Sequence, residues 1–116
     1  MRFSIPVYFL ALALLLVTVD TELARANEPI SVTVTLRDHR FEPMQIEVPA
    51  NQEIKLVVIN ADTTPEEFES HDLKIERVIA GKATAEFKLR PLKAGKRYKF
   101  FGEFHEATAQ GVIVAK

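Results

Sequence analysis

Two acidic stretches of the chain each carry a histidine. Residues 66–72 contain three glutamates and end in His71-Asp72, and further on His105 stands between Glu103 and Glu106. Imidazole nitrogen and carboxylate oxygen are ligands that suit iron, copper(II) or zinc. The chain has three histidines and no cysteine. A metal site built from these stretches therefore has to form without thiolate.

The predicted metal ligands are the two histidines and the acidic residues nearest to them. The set is His71, His105, Glu67, Glu69 and Glu103. Carboxylates packed this closely repel one another, and a bound cation relieves that repulsion. The ordinary alternative is that each histidine is a solvated loop residue and that the acidic run is a solvated surface.

Two further residues are weaker candidates for binding a metal. His39 lies beside Arg40, whose charge repels a cation, so a structural hydrogen bond is the favoured role. Met44 offers a soft ligand for copper(I), but a methionine at the start of an apolar strand usually belongs to the core. No serine-elbow, P-loop or dinucleotide motif is present, so hydrolysis fits the sequence poorly.

The elements that must position these residues are short β-strands. Alternating apolar side chains predict seven of them, at 31–36, 44–48, 53–60, 73–78, 83–89, 98–101 and 112–114. Residues 61–70 break the pattern, and Pro65 suits the start of one helical turn. Short strands separated by turn signals every ~8 to 12 residues are typical of an antiparallel sandwich with Greek-key connections.

The first residues have the features of a secretory leader. Arg2 is followed by an apolar run over residues 7–19 and by Ala24-Arg25-Ala26, which predicts a cleavable signal peptide over 1–26 and one domain over 27–116. The alternative is a retained anchor, but the run is shorter than the ~20 residues that span a bilayer. We expect an exported protein with no membrane span after processing. A net charge of -1 gives no support for nucleic acid as a partner.

The last loop and its flanking strands resemble those of the cupredoxins. Gly102, His105 and Gln110 lie between an aromatic strand and a valine-rich strand, like the loop whose cysteine, histidine and methionine bind copper in that family. His71 resembles the family's upstream histidine ligand. The likeness covers nearly the whole predicted domain and implies an all-β, cupredoxin-like Greek-key β-sandwich.

A narrower resemblance is carried by residues 38–43, 64–71 and 100–104. These segments look like the periplasmic cupredoxin-like proteins of bacterial iron-uptake systems, which are related to the EfeO-type cupredoxin-like domain. The resemblance implies a periplasmic protein that binds iron or copper in high-affinity iron uptake. It also implies an inner-membrane iron permease, or a periplasmic protein associated with one, as partner. An accessory ferroxidase is the enzymatic role that it leaves open.

The departures from the cupredoxin pattern decide which metal is expected. Gly102 stands where a blue-copper protein has its cysteine, and Gln110 stands where it has its axial methionine. Blue copper depends on the copper-thiolate bond, so it is not expected here. Histidine with glutamate gives a harder site, which favours iron or ordinary copper(II). Two alternatives stay open: a metal-free interaction module that docks on a transport partner, and a copper carrier that uses His39 and Met44.

Overall fold

The computed structural model describes residues 2–4 and 28–116. The predicted signal peptide, residues 1–26, lies almost wholly outside the described residues, so its cleavage stays a prediction. Within the described part of the chain, no helix has both the length and the apolar character needed to cross a bilayer.

The described residues form nine β-strands and one 3-10 turn. The strands are β1 (Ile30–Arg37), β2 (Arg40–Glu42), β3 (Gln45–Val48), β4 (Ile54–Asn60), β5 (Glu66–Ser70), β6 (Ile75–Ile79), β7 (Thr84–Leu89), β8 (Arg97–Gly102) and β9 (Gln110–Ala115). The 3-10 turn, Glu103–His105, lies between the last two strands. One sheet has the order β2-β1-β4-β7 and the other β3-β9-β8-β5-β6. The predicted all-β sandwich is confirmed.

Two strand pairs are parallel, and the expectation of an antiparallel sandwich is wrong for them. β1 pairs in parallel with β4, and β3 pairs in parallel with β9. Between β1 and β4 the chain passes through β3, which belongs to the opposite sheet. The chain therefore returns to the first sheet running in its original direction, which a tight hairpin cannot achieve.

Two of the nine strands were not predicted from apolar alternation. β2 is a three-residue edge strand whose Phe41 is buried. β5 replaces the helical turn expected at Pro65, and it has one apolar residue, Phe68. On its inward face Phe68 is flanked by Glu66 and Ser70, which are both buried. Polar groups can occupy this face because other segments supply hydrogen bonds; for example, the Ser70 hydroxyl donates to the carbonyl of Lys99 at 2.6 Å.

The core lies between the two sheets and has an aromatic centre. Phe41 meets Phe68 and Phe100 edge-to-face, with ring centroids 5.8 and 5.0 Å apart. Phe68 also stacks on Phe87 of the opposite sheet at 5.3 Å. Aromatic pairs of this kind contribute about 0.5–1.5 kcal/mol beyond their burial. This packing holds the centre of β5 against its neighbour β8 and against the opposite sheet.

Asn60 holds the segment that leads into β5. Its side-chain amide donates to the carbonyls of Thr64, Ile79 and Ala80 at 2.9, 3.1 and 3.2 Å. Its side-chain oxygen accepts from the backbone N–H of Asp62 at 3.1 Å. Because the asparagine is buried, these four bonds fix where the following strand begins.

Candidate metal centre

β5 divides the predicted ligands between two sides of its sheet. Successive side chains of a strand point to opposite faces. Glu66 and Phe68 point inward and are buried, so Glu67 and Glu69 point to the outer face of the same sheet. The two outward glutamates are predicted ligands. Glu66 belongs to the same acidic run but is not among the predicted ligands.

The outer face carries a cluster of four carboxylates. One carboxylate oxygen from each lies within 4.8 Å of the others, in the set Glu67, Glu69, Glu76 and Glu103. Three of these are predicted ligands, which the structure brings together. Glu76 is not among the predicted ligands, because its proximity to the others depends on the register between two strands. In the β5–β6 pair it stands directly opposite Glu69.

The carboxylates of this cluster perturb one another's protonation. Hydrogen bonds to Glu103 and then Glu76, followed by desolvation, raise the pKa of the Glu67 carboxyl to about 8. The pKa of Glu69 is also raised, first by desolvation and then by repulsion from Glu103 and Glu76. Without a cation, the cluster therefore retains protons that isolated carboxylates would lose.

Few positive groups are available to balance this charge. No lysine or arginine within residues 28–116 forms an ion pair with any of the four carboxylates. Glu67 is only 9% exposed, and among the described residues no backbone N–H, hydroxyl or basic side chain donates to its carboxylate, whose hydrogen-bond partners are the carboxyls of Glu103 and Glu76. A nearly buried carboxylate among three others is the arrangement that a cation would stabilise.

His71 lies at the margin of the outer cluster. Its Nδ1 is 3.9 Å from Oε1 of Glu69, and its ring lies 5.5 Å from the ring of Phe101. The side chain is 78% exposed. The structure therefore places His71 beside Glu69, one member of the cluster, with an exposed ring.

His105 lies elsewhere, on the inner side of β5. Its Nδ1 is 2.5 Å from Oε2 of Glu66, whose side chain is 2% exposed. Its ring stacks on that of His39, with centroids 3.5 Å apart and planes inclined by 11°. The structure thus separates His105 from His71. The five predicted ligands form two groups, and one ion shared by both histidines is not supported.

Glu66 organises the inner group. Its Oε1 accepts the backbone N–H groups of Phe104 at 2.8 Å and Glu67 at 3.0 Å, while Oε2 meets His105. Glu66, Phe68 and Ser70 are spaced two residues apart, as residues on one face of a strand are. This spacing is the sequence feature that could have indicated a buried Glu66. A single apolar residue was too little to identify that strand, so the buried glutamate went unrecognised.

The protein is a two-sheet β-sandwich with an oxygen-rich candidate cation site on its outer face. A family model described as "Cupredoxin-like domain" matches residues 7–115. The chain therefore belongs to the cupredoxin-like family. It is also 47% identical over 85 residues to a Rickettsia prowazekii (strain Madrid E) protein named "Uncharacterized protein RP394", covering 73% of this chain and 67% of that one.

Solved structures give the same fold. Auracyanin A, a "blue" copper protein from Chloroflexus aurantiacus, superposes with a TM-score of 0.65 at 13% identity, covering 77% of this chain and 100% of auracyanin. The metal-binding domain of the Streptococcus pneumoniae D39 Cu(I)-exporting ATPase CopA superposes at 0.64 with 12% identity, covering 78% and 97%. At these identities the likeness concerns the fold alone.

The residues of this chain do not fit a blue-copper centre. The chain has no cysteine, and a Cβ added at Gly102 would lie 2.6 Å from Cδ of Glu66. The space beside Gly102 is therefore filled by a carboxylate. The side-chain amide of Gln110 donates to the carbonyl of Glu106 at 3.0 Å.

Met44, expected in the core, is 62% exposed; that expectation is wrong because its strand begins one residue later.

Proposed function

We propose that this protein binds a metal cation at the outer carboxylate cluster and that its physiological metal is iron. The ligands are Glu67, Glu69, Glu76 and Glu103, with His71 at the margin. The observation that carries the proposal is the convergence of four carboxylate oxygens within 4.8 Å, without a lysine or arginine partner among the described residues. The predicted ligand set is thereby revised: Glu76 joins it and His105 leaves this site.

The choice of iron follows from the kind of ligand. Carboxylate oxygen is a hard ligand, and a site of four carboxylates and one imidazole resembles non-haem iron sites more than copper sites built from sulfur. The copper proteins of similar fold support metal binding by this architecture in general. The chemistry of the cluster supports a different metal.

The biological setting extends the same proposal. We infer an exported, periplasmic protein that hands iron to an inner-membrane iron permease or to a periplasmic protein associated with one. The leader-like residues 1–26 and the narrower sequence resemblance support this setting. Enzymatic turnover is a separate matter, and ferroxidase activity is the reaction to assay.

The direct test is the amount of metal that the purified protein retains. Load it separately with iron(II) under anaerobic conditions, copper(II) and zinc(II), remove free metal, and measure bound metal by mass spectrometry. We expect about one equivalent of iron to depend on the cluster. Glu67→Gln combined with Glu103→Gln removes two of the charges and should abolish that equivalent.

The matched control is Glu86→Gln. Glu86 is an exposed glutamate that pairs with Lys55 at 3.2 Å, outside the cluster, so its change should leave iron loading as in the wild type. Retention of the full equivalent by the double variant would contradict the proposal. Admitting oxygen to the iron-loaded samples then shows whether iron(II) disappears faster than in buffer, which tests for a ferroxidase.

A further inference from the structure

A groove lies between the start of β6 and the end of β7. It has a volume of about 430 Å³, and its walls include Ile75 of β6, Leu89 of β7 and Tyr98 of β8. Residues 90–93, in the connection between β7 and β8, complete the lining. β6 and β7 are each the last strand of their sheet. The groove therefore lies where the edges of the two sheets meet.

The rim of the groove is positively charged. Residues 88–99 contain six basic residues and no acidic one, and all six are exposed. Three cationic side chains of the rim, Lys74, Arg90 and Lys93, form no ion pair within residues 28–116. Asp72 is the acidic residue of the lining, and its carboxylate accepts a backbone N–H of β8 at 2.9 Å. The groove therefore offers unbalanced positive charge to a ligand.

The floor of the groove is apolar. Leu89, Leu92 and the ring of Tyr98 line it, and all three residues are buried. The backbone N–H of Lys93 donates to the hydroxyl of Tyr98 at 3.0 Å, which holds the connection against β8. An apolar floor below a cationic rim suits a ligand that carries both apolar and anionic groups. A free phosphate ion has only the second.

The edge of β7 faces this groove with its backbone. The carbonyl of Ala83, just before β7, accepts the N–H of Asn60 at 2.9 Å, so odd-numbered residues direct their backbone groups towards β4. The carbonyl of Glu86 instead accepts the guanidinium of Arg77 in β6, at 3.4 Å. Lys88 follows Glu86 by two residues, so its N–H and C=O also point away from β4. An extended chain can pair with such an edge.

We propose that this groove binds an extended, acidic segment of a partner protein. The segment pairs with the edge of β7 at Lys88 and places its carboxylates beside Lys74, Arg90 and Lys93. Its apolar side chains cover the floor. The surface is separate from the carboxylate cluster, and its use does not depend on metal binding.

An anionic membrane fits this surface less well than a peptide does. The large apolar side chains that are exposed in the described residues are Phe3, Met44, Val78 and Phe104, and none of them lines the groove. Peripheral membrane binding draws on apolar side chains that enter the headgroup region as well as on positive charge. A concave site with a buried apolar floor instead matches a chain that enters it.

The test measures binding of a short fluorescent peptide of alternating glutamate and valine to the full-length protein, by fluorescence anisotropy. We expect binding that weakens as salt rises, and none when lysine replaces glutamate in the peptide. Amide NMR should place the largest shifts at Ile75 and Lys88. Shifts confined to other surfaces would overturn the proposal. Displacement of the peptide by inorganic phosphate at constant ionic strength, or tighter binding to phosphatidylglycerol vesicles than to the peptide, would also overturn it.

Backbone methylation of the peptide tests the strand pairing. Two versions are methylated on alternate backbone nitrogens, one on each edge, and both keep every charge and side chain. The version that loses the N–H groups facing β7 should bind at least tenfold more weakly than the parent peptide. If both versions bind as tightly as the parent, the proposal is overturned.

A triple variant tests the rim. Each exposed ion pair changes affinity by about 1.4- to 5-fold. Lys74→Gln, Arg90→Gln and Lys93→Gln together should therefore weaken peptide binding by about 3- to 100-fold. Because all three side chains are exposed, the fold should be retained. If the wild type forms dimers that this variant abolishes, a second copy of the chain is the occupant, and the partner proposal is overturned.

The matched control removes the same charge elsewhere. Arg37, Lys55 and Lys116 are at least 43% exposed and lie outside the groove, and each pairs with a glutamate. Changing all three to glutamine should leave the peptide's affinity within twofold of the wild-type value. Equal losses in the two triple variants would show attraction by net charge alone and would overturn the proposal.

This inference and the proposed function fail separately. The variant Glu67→Gln with Glu103→Gln, which disables the carboxylate cluster, should still bind the acidic peptide. If iron loading depends on the cluster while the two triple variants bind peptide alike, the docking groove fails alone. If peptide binding depends on the groove but iron loading does not depend on the cluster, the proposed function fails alone.

Discussion

His71 and His105 contact opposite ends of the same strand. His105 meets Glu66, the first residue of β5, whereas His71 directly follows Ser70, the last. Four residue steps of extended chain separate the two ends by about 13 Å, given a rise of ~3.3 Å per residue. Each histidine has its own acidic neighbour in the structure, Glu69 for His71 and Glu66 for His105. This separation divides the candidate chemistry into an outer oxygen-rich group and an inner imidazole group.

The protonation of Glu67 predicts how the stability of the metal-free protein depends on pH. Its pKa is about 8 in the folded state and 4.5 in the reference state. Between these values the folded protein keeps a proton that the unfolded chain releases, so the free energy of unfolding falls as pH rises. Denaturant titrations with chelator present, from pH 5 to pH 9, should show this decline.

The contribution of Glu67 is isolated by the isosteric variant. Glu67→Gln cannot ionise, so its free energy of unfolding should decline less with pH than that of the wild type. Glu86→Gln should follow the wild-type profile. Parallel profiles for wild type and Glu67→Gln would show that this carboxyl has an ordinary pKa in the folded protein.

Glu76→Gln should have opposite effects with and without metal. Glu76 stands directly opposite Glu69, and like charges in such a cross-strand pair are destabilising. Removing one charge should stabilise the metal-free protein by about 0.2–1 kcal/mol in denaturant titrations. The same change should weaken iron binding, because one ligand is lost. A variant that is less stable without metal and binds iron normally would contradict the role assigned to Glu76.

Gly102→Ala tests the tight fit between β8 and Glu66. An added Cβ would lie 2.6 Å from Cδ of Glu66, so the carboxylate must move away. Overpacking of this kind costs about 1–3 kcal/mol. The cost should shrink when Glu66→Ala is also present, and a double-mutant cycle measures that coupling. Additive effects of the two changes would mean that the glutamate does not fill the space beside Gly102.

Asn60→Ala should destabilise the fold through lost hydrogen bonds. The change removes the two side-chain N–H bonds that three carbonyls share and the acceptor of one backbone N–H, although the carbonyl of Ala80 keeps the N–H of Ala83 at 3.1 Å. Buried polar groups left unpaired cost about 1–3 kcal/mol each, and water entering the site reduces the total. A loss of at least ~1 kcal/mol in denaturant titrations is expected. A wild-type midpoint would show that Asn60 does not hold the segment before β5.

The sequence predicted the sandwich better than it predicted the site. Alternating apolar residues marked β1, β4 and β7 closely, since each buries one apolar face. β5 was missed because its inward side chains are mostly polar, and their partners come from other strands and from the last loop. Composition and spacing therefore identified Glu67, Glu69 and Glu103, which lie on the outer face of the sheet or in the last loop.

The remaining members of both groups depended on tertiary contacts. Glu76 joins the cluster through the register of the β5–β6 pair, which hydrophobic pattern did not determine. The neighbouring Arg40 makes His39 a weak candidate ligand in the sequence, but in the structure its ring lies against that of His105. The two histidines are 66 positions apart in the sequence, so local sequence patterns cannot indicate the contact.

The most direct measurement is the location of iron in a crystal of the iron-loaded protein, by anomalous scattering at the iron absorption edge. A peak is expected among the carboxylates of Glu67, Glu69, Glu76 and Glu103. No iron peak, or a peak only beside His105, would contradict this expectation.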